Sequence, residues 1–196
     1  ICRRYELPLL EDAAESLGAY YNDRHPGTFG DVGVFSFNGN KMITASSGGM
    51  LVARDAALVD HARKWSMHSR DEDPQGINNY VHSELGYNYR MSNVLAGIAR
   101  GQLEILEERV EQRRAVFERY RTALSDLPGI TPQPENKSGR HTRWLSCFLI
   151  DEAQFGVPAA DLIRHLGAAN VEARPVWKPM HTQPLYRGCK QVGGEV

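Results

Sequence analysis

Three short apolar runs, each bounded by polar or turn residues, constrain the fold of this chain most strongly. They cover residues 7–10, 32–37 and 49–53. Runs of about four to eight apolar residues between turn signals are typical of buried strands. The first run ends in two acids, Glu11 and Asp12. We therefore predict three strands at these positions, buried in a sheet.

Helical periodicity dominates the middle of the chain. Residues 55–66 have helical spacing, and from 95 to 124 apolar residues recur close to every third or fourth position opposite a charged face. Ser92 or Asn93 can cap the start of the second pattern. Unbroken, it would be one helix of roughly 45 Å. The polar stretch at 67–80 is long for a connection, which predicts a functional loop.

The last third of the chain has shorter elements. We predict strands at residues 144–150 and 170–174, with a helix between them at 158–166. Pro158 is expected near the first turn of that helix, where its missing amide costs nothing. This alternation predicts a second, smaller α/β domain.

Charge and cysteine content exclude several classes of protein. The chain has 23 basic and 24 acidic residues and a formal net charge of −1, so neither nucleic acid nor an anionic membrane is an expected partner. No apolar run approaches the ~20 residues of a membrane helix. Cys2, Cys147 and Cys189 are widely spaced, which favours reduced cytoplasmic thiols over disulfides or a metal site. We expect no bound metal and a cytoplasmic location.

Lys41 and Asp12 are the strongest candidates for chemistry. Asp12 ends the first predicted strand, and Lys41 follows the second just before a glycine turn. A lysine amine that binds an aldehyde, together with an acid that faces a pyridine nitrogen, is what pyridoxal phosphate (PLP) requires of a protein. Ser36, within the second strand, could donate a hydrogen bond to the cofactor phosphate.

Each of these residues also has an ordinary structural interpretation. Lys41 alone fits a surface lysine at a strand end. Asp12 fits a helix N-cap over the two alanines that follow it. Ser36 fits a small buried hydroxyl bonded to the backbone. Spacing alone leaves these alternatives open.

Four longer stretches carry a resemblance to a known family. They are EDAAESLGA at 11–19, GDVGVFSFNGNK at 30–41, GGML at 48–51 and GYNYRMSN at 86–93. In this order they strongly resemble the DegT/DnrJ/StrS family of nucleotide-sugar aminotransferases. The resemblance implies the α/β fold of PLP-dependent transferases of fold type I, which is the fold of aspartate aminotransferase.

The resemblance also implies a division of the chain. Residues 1–93 would form the C-terminal part of the PLP-binding large domain, 94–126 a long connecting helix, and 127–196 most of a small α/β domain. The chain is roughly half the usual length for the family and does not begin with Met. We expect that both ends are cut, that the missing part lies mainly before Ile1, and that this chain alone binds PLP weakly or not at all.

By the same resemblance, five residues would contact the cofactor. Lys41 would hold PLP as a Schiff base, and Asp12 would pair with its ring nitrogen. Glu15, at a position that is often Gln in the family, would lie beside the ring hydroxyl. Ser36 would bind the phosphate. Asn88 would reach the phosphate in the partner subunit, which implies a homodimer with shared active sites.

Residues 172–181 resemble the branch of the family that aminates UDP-4-keto-6-deoxy-N-acetylhexosamines in bacterial glycan synthesis. Arg174, Lys178 and His181 would then lie near the nucleotide-sugar, with Arg174 or Lys178 facing its diphosphate. The implied reaction moves an amino group, with glutamate as the expected donor, to UDP-4-keto-6-deoxy-N-acetylglucosamine.

Three alternatives remain. Some relatives are sugar dehydratases that carry His in place of the lysine, and Lys41 argues against that reading. A non-catalytic regulatory or interaction protein on the same scaffold would not need Asp12, Ser36, Lys41 and Asn88. An inactive gene fragment is the third alternative, and the sequence alone leaves it open.

Overall fold

The computed structural model describes residues 1–77 and 80–193. Asn78, Asn79 and residues 194–196 lie outside the described residues. Asn78 and Asn79 belong to the predicted loop at 67–80, and residues 194–196 belong to the predicted domain at 127–196. The chain divides into two compact units. The first comprises Ile1–Tyr120 and Pro134–Ser146, and the second comprises Arg121–Gln133 and the described residues from Cys147 onward.

Strands and helices alternate along the described residues, which confirms the predicted α/β class. The strands are β1 Leu10–Asp12, β2 Tyr20–Tyr21, β3 Val32–Ser36, β4 Gly49–Ala53, β5 Ile130–Pro132, β6 Gly139–Arg140 and β7 Phe148–Ile150. The α-helices are α1 Ala56–Ser66, α2 Asn93–Glu104, α3 Leu106–Ala123, α4 Glu152–Phe155 and α5 Ala159–Ala168. Short 3₁₀ helices cover Cys2–Tyr5, Met180–Thr182 and Pro184–Tyr186.

A three-stranded sheet in the order β1-β3-β4 organises the first unit. β1 runs parallel to β3, with Asp12 beside Val34, and β4 runs antiparallel to β3. The strands at 32–37 and 49–53 are confirmed in position, but β4 is not buried, since Met50 is 51% exposed. The first strand differs from the prediction, because it begins only at Leu10, includes both acids and is not buried. Leu10 is 64% exposed, since β3 is the only strand paired with β1 among the described residues.

Two helices of the first unit, α1 and α2, begin at side-chain caps. The Asp55 carboxylate accepts from the amide of Ala57 at the start of α1, and the Ser92 hydroxyl accepts from the amide of Leu95 at the start of α2. The prediction of one long helix from 95 to 124 is wrong. Ile105 is not helical (φ −111°, ψ 15°), and its amide donates to the carbonyl of Gln102. α2 therefore ends at Glu104, and α3 begins as a separate helix at Leu106.

Two clusters of buried side chains lie directly after Lys41. Ile43 packs with Phe37, Ala45 and Ala99, whereas Met42 packs with Val110 of α3 and with Trp144. Consecutive residues therefore enter two different parts of the core, and the backbone that leaves Lys41 is anchored on both sides.

The second unit contains the antiparallel pair β5 and β7, and α5 follows them. The predicted strand at 144–150 is confirmed only over its last three residues, because Trp144 packs in the core of the first unit instead. The helix at 158–166 is confirmed, with Pro158 as the N-cap directly before its first turn. The strand predicted at 170–174 is wrong, because no described strand pairs with it and Asn170 adopts a left-handed φ of 60°.

Among the described residues, none of the helices has both the length and the apolar character that crossing a membrane requires.

Candidate active site

Lys41 lies in a tight turn just after β3. Its amide donates to the carbonyl of Asn38 at 3.0 Å, and the chain then enters the core at Met42. The Lys41 side chain is only 14% exposed. This degree of burial is unusual for lysine, and it argues against the interpretation of Lys41 as an ordinary surface residue.

The Lys41 amine has two partners from distant parts of the chain. Its Nζ donates to Glu15 Oε1 at 2.9 Å, and it lies 4.8 Å from the centre of the Trp144 ring. The Trp144 indole N–H donates to the carbonyl of Asn40, with 2.5 Å between the two heavy atoms. Sequence reasoning identified Glu15 but missed Trp144, because nothing in the pattern around residue 144 connects it with residue 41.

Asp12 and Ser36 end the two parallel strands β1 and β3. Asp12 is in register with Val34, and Ser36 follows Val34 by two residues, so both polar side chains project from the same face of the sheet. The carboxyl edge of parallel strands is where α/β proteins bind ligands. The structure therefore places the predicted ring partner and the predicted phosphate donor at one edge.

The Asp12 side chain bonds to the backbone that follows it, but no described helix begins there, so the interpretation of Asp12 as a helix N-cap is wrong. Asp12 Oδ1 accepts from the amide of Ala14 at 3.1 Å, while the side chain stays exposed. Ser36 Oγ accepts from the amide of Asn38 at 3.3 Å, which leaves its hydroxyl hydrogen available. A single bond to each side chain holds it in place without using up its capacity to bind a ligand.

The neighbouring acid, Glu11, has a different role. Its two carboxylate oxygens accept from the amides of Gly27 at 2.8 Å and Gly30 at 2.5 Å. Burial raises the pKa of Glu11, but these backbone N–H groups outweigh burial and hold the pKa below its ordinary value. Glu11 thus fixes the glycine turn against β1, and Asp12 is the acid of the pair that faces solvent.

Asn88 lies on a segment whose backbone is hydrogen-bonded to the end of α1. It forms an isolated β-bridge with Met67, and it is exposed. The nearby Glu84 carboxylate accepts from the Trp65 indole at 2.9 Å and pairs with Lys64 at 2.9 Å. The Trp65 and Lys64 hydrogen bonds lower the pKa of Glu84 to about 2. In the described part of the chain Asn88 shares no hydrogen bond with Lys41.

The three predicted substrate residues all belong to the second unit. Arg174 pairs with Glu172, and both side chains are largely exposed. The Lys178 carbonyl accepts from the side chain of Gln183. His181 lines a cavity of 380 Å³ that is bordered by Met180, Tyr186, Cys189, Lys190, Gln191 and Val192. None of the described contacts joins these three residues to one another.

The residues of the first unit fit PLP in chemical terms. An amine that is largely removed from solvent is available at Lys41, and a carboxylate with an uncommitted oxygen is available at Asp12. Ser36 supplies a hydroxyl at the same sheet edge as Asp12. A covalent attachment point, a partner for the ring nitrogen and a phosphate donor are therefore all present.

Comparison with known proteins agrees with this chemistry. The sequence model of the DegT/DnrJ/EryC1/StrS aminotransferase family matches residues 1–195. The chain belongs to this family, which confirms the resemblance seen in the four motifs.

Two curated relatives cover 95% of this chain. The Bacillus subtilis (strain 168) protein named "Putative pyridoxal phosphate-dependent aminotransferase EpsN" is 48% identical, and the match covers 46% of that protein. GDP-perosamine synthase of Vibrio cholerae is 35% identical, and the match covers 49% of it. The chain therefore spans about half the length of the curated relatives it matches.

Among solved structures, the crystal structure of DesI with its TDP-sugar product is similar over 98% of this chain and 48% of DesI. The TM-score is 0.83 at 30% identity. The fold is thus that of PLP-dependent sugar aminotransferases, as predicted. PLP is the cofactor of the family, and the name of the Bacillus relative states it, so the predicted cofactor is confirmed as well.

Proposed function

We propose that this protein transfers an amino group from an amino acid, with L-glutamate as the donor, to a keto-sugar linked to a nucleotide. The observation that carries the proposal is Lys41. It has a largely buried amine, held by Glu15, in a turn that follows the strand ending in Ser36. Family membership supplies the reaction class. The proposal includes a homodimer with shared active sites and a cytoplasmic location.

When bound, PLP supplies an electron sink for the electrons left behind as the C–H bond of the amino donor breaks. In this proposal the Lys41 amine attaches the cofactor and later carries that proton. Asp12 holds the proton on the ring nitrogen, and the Ser36 hydroxyl donates to the phosphate. Glu15 accepts from the Lys41 amine and keeps it at the loop that leaves β1.

For the substrate we propose UDP-4-keto-6-deoxy-N-acetylglucosamine, with the product entering glycan biosynthesis. The resemblance at residues 172–181 supports UDP, and Arg174 and Lys178 offer positive charge for a diphosphate. The relatives differ in nucleotide, since one is a GDP-perosamine synthase and DesI was solved with a TDP-sugar product. The test therefore compares UDP-, GDP- and TDP-linked substrates directly.

The test is a substrate panel assayed on the protein as its gene encodes it. PLP, L-glutamate and 4-keto-6-deoxy sugars linked to UDP, GDP or TDP are supplied, and amino-sugar product is followed by mass spectrometry. We expect turnover with the UDP substrate, none in Lys41→Ala, and wild-type turnover in the exposed control Lys137→Ala. Faster turnover with GDP or TDP would contradict the proposed substrate, and bound PLP without any turnover would contradict the proposed reaction.

The shared active site has its own test. Lys41→Ala and Asn88→Ala subunits, each impaired alone, are mixed under conditions that exchange subunits. A heterodimer then has one site with both residues intact, so random pairing restores about a quarter of the wild-type sites. Activity that stays at the level of the separate variants would contradict the assignment of Asn88 to the partner's site.

A further inference from the structure

Trp144 is the residue near Lys41 that no motif indicates. It is 8% exposed and lies far along the sequence from Lys41. Its indole N–H donates to the carbonyl of Asn40, and its ring lies under the Lys41 amine at 4.8 Å. The Trp144 side chain thus contacts two successive residues: the backbone carbonyl of Asn40 and the charged amine of Lys41.

These two contacts have different physical consequences. Indole has a single donor and no acceptor, and a buried donor left without a partner is costly, so the bond to Asn40 fixes the turn that carries Lys41. The ring face attracts a cation within about 6 Å of its centre, so it helps to hold the Lys41 ammonium group in one place. Glu15 holds the same amine from another segment, at 2.9 Å.

Trp144 is itself held firmly. It packs with Met42 and with Val110 of α3. The segment before it is tied to the same helix by ion pairs of Glu135 with Arg114 and of Arg140 with Glu111. The indole therefore links α3 to the turn at Lys41, through packing on Val110 and the hydrogen bond to Asn40.

We propose that Trp144 is a positioning residue for Lys41, with the indole N–H fixing the turn and the ring face holding the amine for attachment of the cofactor. The inference rests on the proposed function, because it assumes that Lys41 is the lysine that binds PLP. It assigns to Trp144 a role that family membership alone does not indicate.

Two variants separate the two contacts. Trp144→Phe keeps an aromatic face and loses the N–H, whereas Trp144→Leu loses both. Trp65→Phe is the matched control, because it removes another indole N–H, the one bonded to Glu84, away from Lys41. The readout is the rate at which added PLP becomes attached to Lys41, measured by borohydride quenching at timed intervals and peptide mass spectrometry.

We expect attachment to be about fivefold slower in Trp144→Phe, as the loss of one hydrogen bond implies, and more than tenfold slower in Trp144→Leu. The Trp65→Phe control should match the wild type. Both Trp144 variants lack the N–H, so faster attachment in Trp144→Phe than in Trp144→Leu reports the contribution of the ring face. Urea unfolding of the same variants is measured in parallel, because under a purely structural role the attachment rates would follow the stability of the fold.

Wild-type attachment rates in both Trp144 variants, or equal slowing in Trp65→Phe, would overturn the inference. If Trp144→Leu does not fold, Trp144→Phe against Trp65→Phe still decides the role of the N–H. Attachment of PLP to another lysine in the unmodified protein would be a failure of the proposed function instead, and the peptide analysis distinguishes the two results.

Discussion

At the scale of single residues, a close backbone approach packs the turn at Gly27 against β3. Gly33 of β3 lies against the turn at Gly27, and a Cβ added at Gly33 would be 2.1 Å from the Gly27 carbonyl oxygen. The turn cannot easily move away, because Glu11 accepts from the Gly27 amide. Gly27 itself needs its positive φ of 87°. This contact packs the turn against the start of β3, beside β1.

Gly33→Ala should therefore destabilise the protein by about 1–3 kcal/mol, the usual cost of forcing atoms into a packed site. Gly97→Ala is the matched control, because a Cβ at this position of α2 would meet nothing within 4 Å. It should stabilise by roughly 0.5–1 kcal/mol, since alanine is the better helix former. Urea unfolding followed by circular dichroism measures both, and changes of the same sign would contradict this account.

The sequence predicted much of the site at this scale. Lys41, Asp12, Ser36 and Glu15 were identified from strand ends and motifs, and the structure brings Lys41 to Glu15 and Asp12 to the sheet edge of Ser36. Trp144 could not be predicted in this way, because its contact with Lys41 depends on how a remote segment packs. The catalytic roles themselves stay predictions.

At the scale of elements, one carboxylate ties the segment that carries Trp144 to α3. Glu135 accepts from Arg114 at 2.6 and 3.0 Å and from the amide of His141 at 2.7 Å. The Arg114 hydrogen bonds, with help from the His141 amide, outweigh burial and lower the pKa of Glu135 to about 2 from 4.5. Two-point contact between a guanidinium and a carboxylate is geometrically specific. Glu135 therefore holds this segment against α3.

Because the folded pKa of Glu135 lies below its unfolded value, its stabilisation is present above pH 4.5 and is lost as the pH falls toward about 2. Glu135→Gln should cost on the order of 2 kcal/mol at neutral pH. It should also make the loss of stability in that acid range less steep. Denaturant unfolding over this range checks both effects. The exposed control Glu104→Gln should stay within about 0.5 kcal/mol of wild type, and an equally steep acid loss in Glu135→Gln would contradict the assignment.

The positions of helices and strands could be predicted where neighbouring residues in the sequence mark them. The strand at 49–53 and the helix at 55–66 were confirmed because apolar runs, periodicity and a capping Asp55 mark them. The break at Ile105 was missed because the apolar period continues through it. The pairing of β2 with β6 joins short segments that are distant in sequence, which no local pattern indicates.

At the scale of the whole molecule, the residues predicted to bind cofactor and those predicted to bind substrate fall in different compact units. Lys41, Asp12, Ser36 and Asn88 belong to the first compact unit, and Arg174, Lys178 and His181 to the second. The chain also spans about half the length of the curated relatives it matches. The division into residues 1–93, 94–126 and 127–196 and the homodimer stay predictions.

The most direct test of the central claim is to identify the lysine that binds the cofactor. The protein as its gene encodes it is incubated with PLP, reduced with borohydride, digested and analysed by mass spectrometry. We predict a phosphopyridoxyl group on Lys41 and none on that peptide in Lys41→Arg. A phosphopyridoxyl group on Lys64, Lys137, Lys178 or Lys190 in place of Lys41 would contradict it.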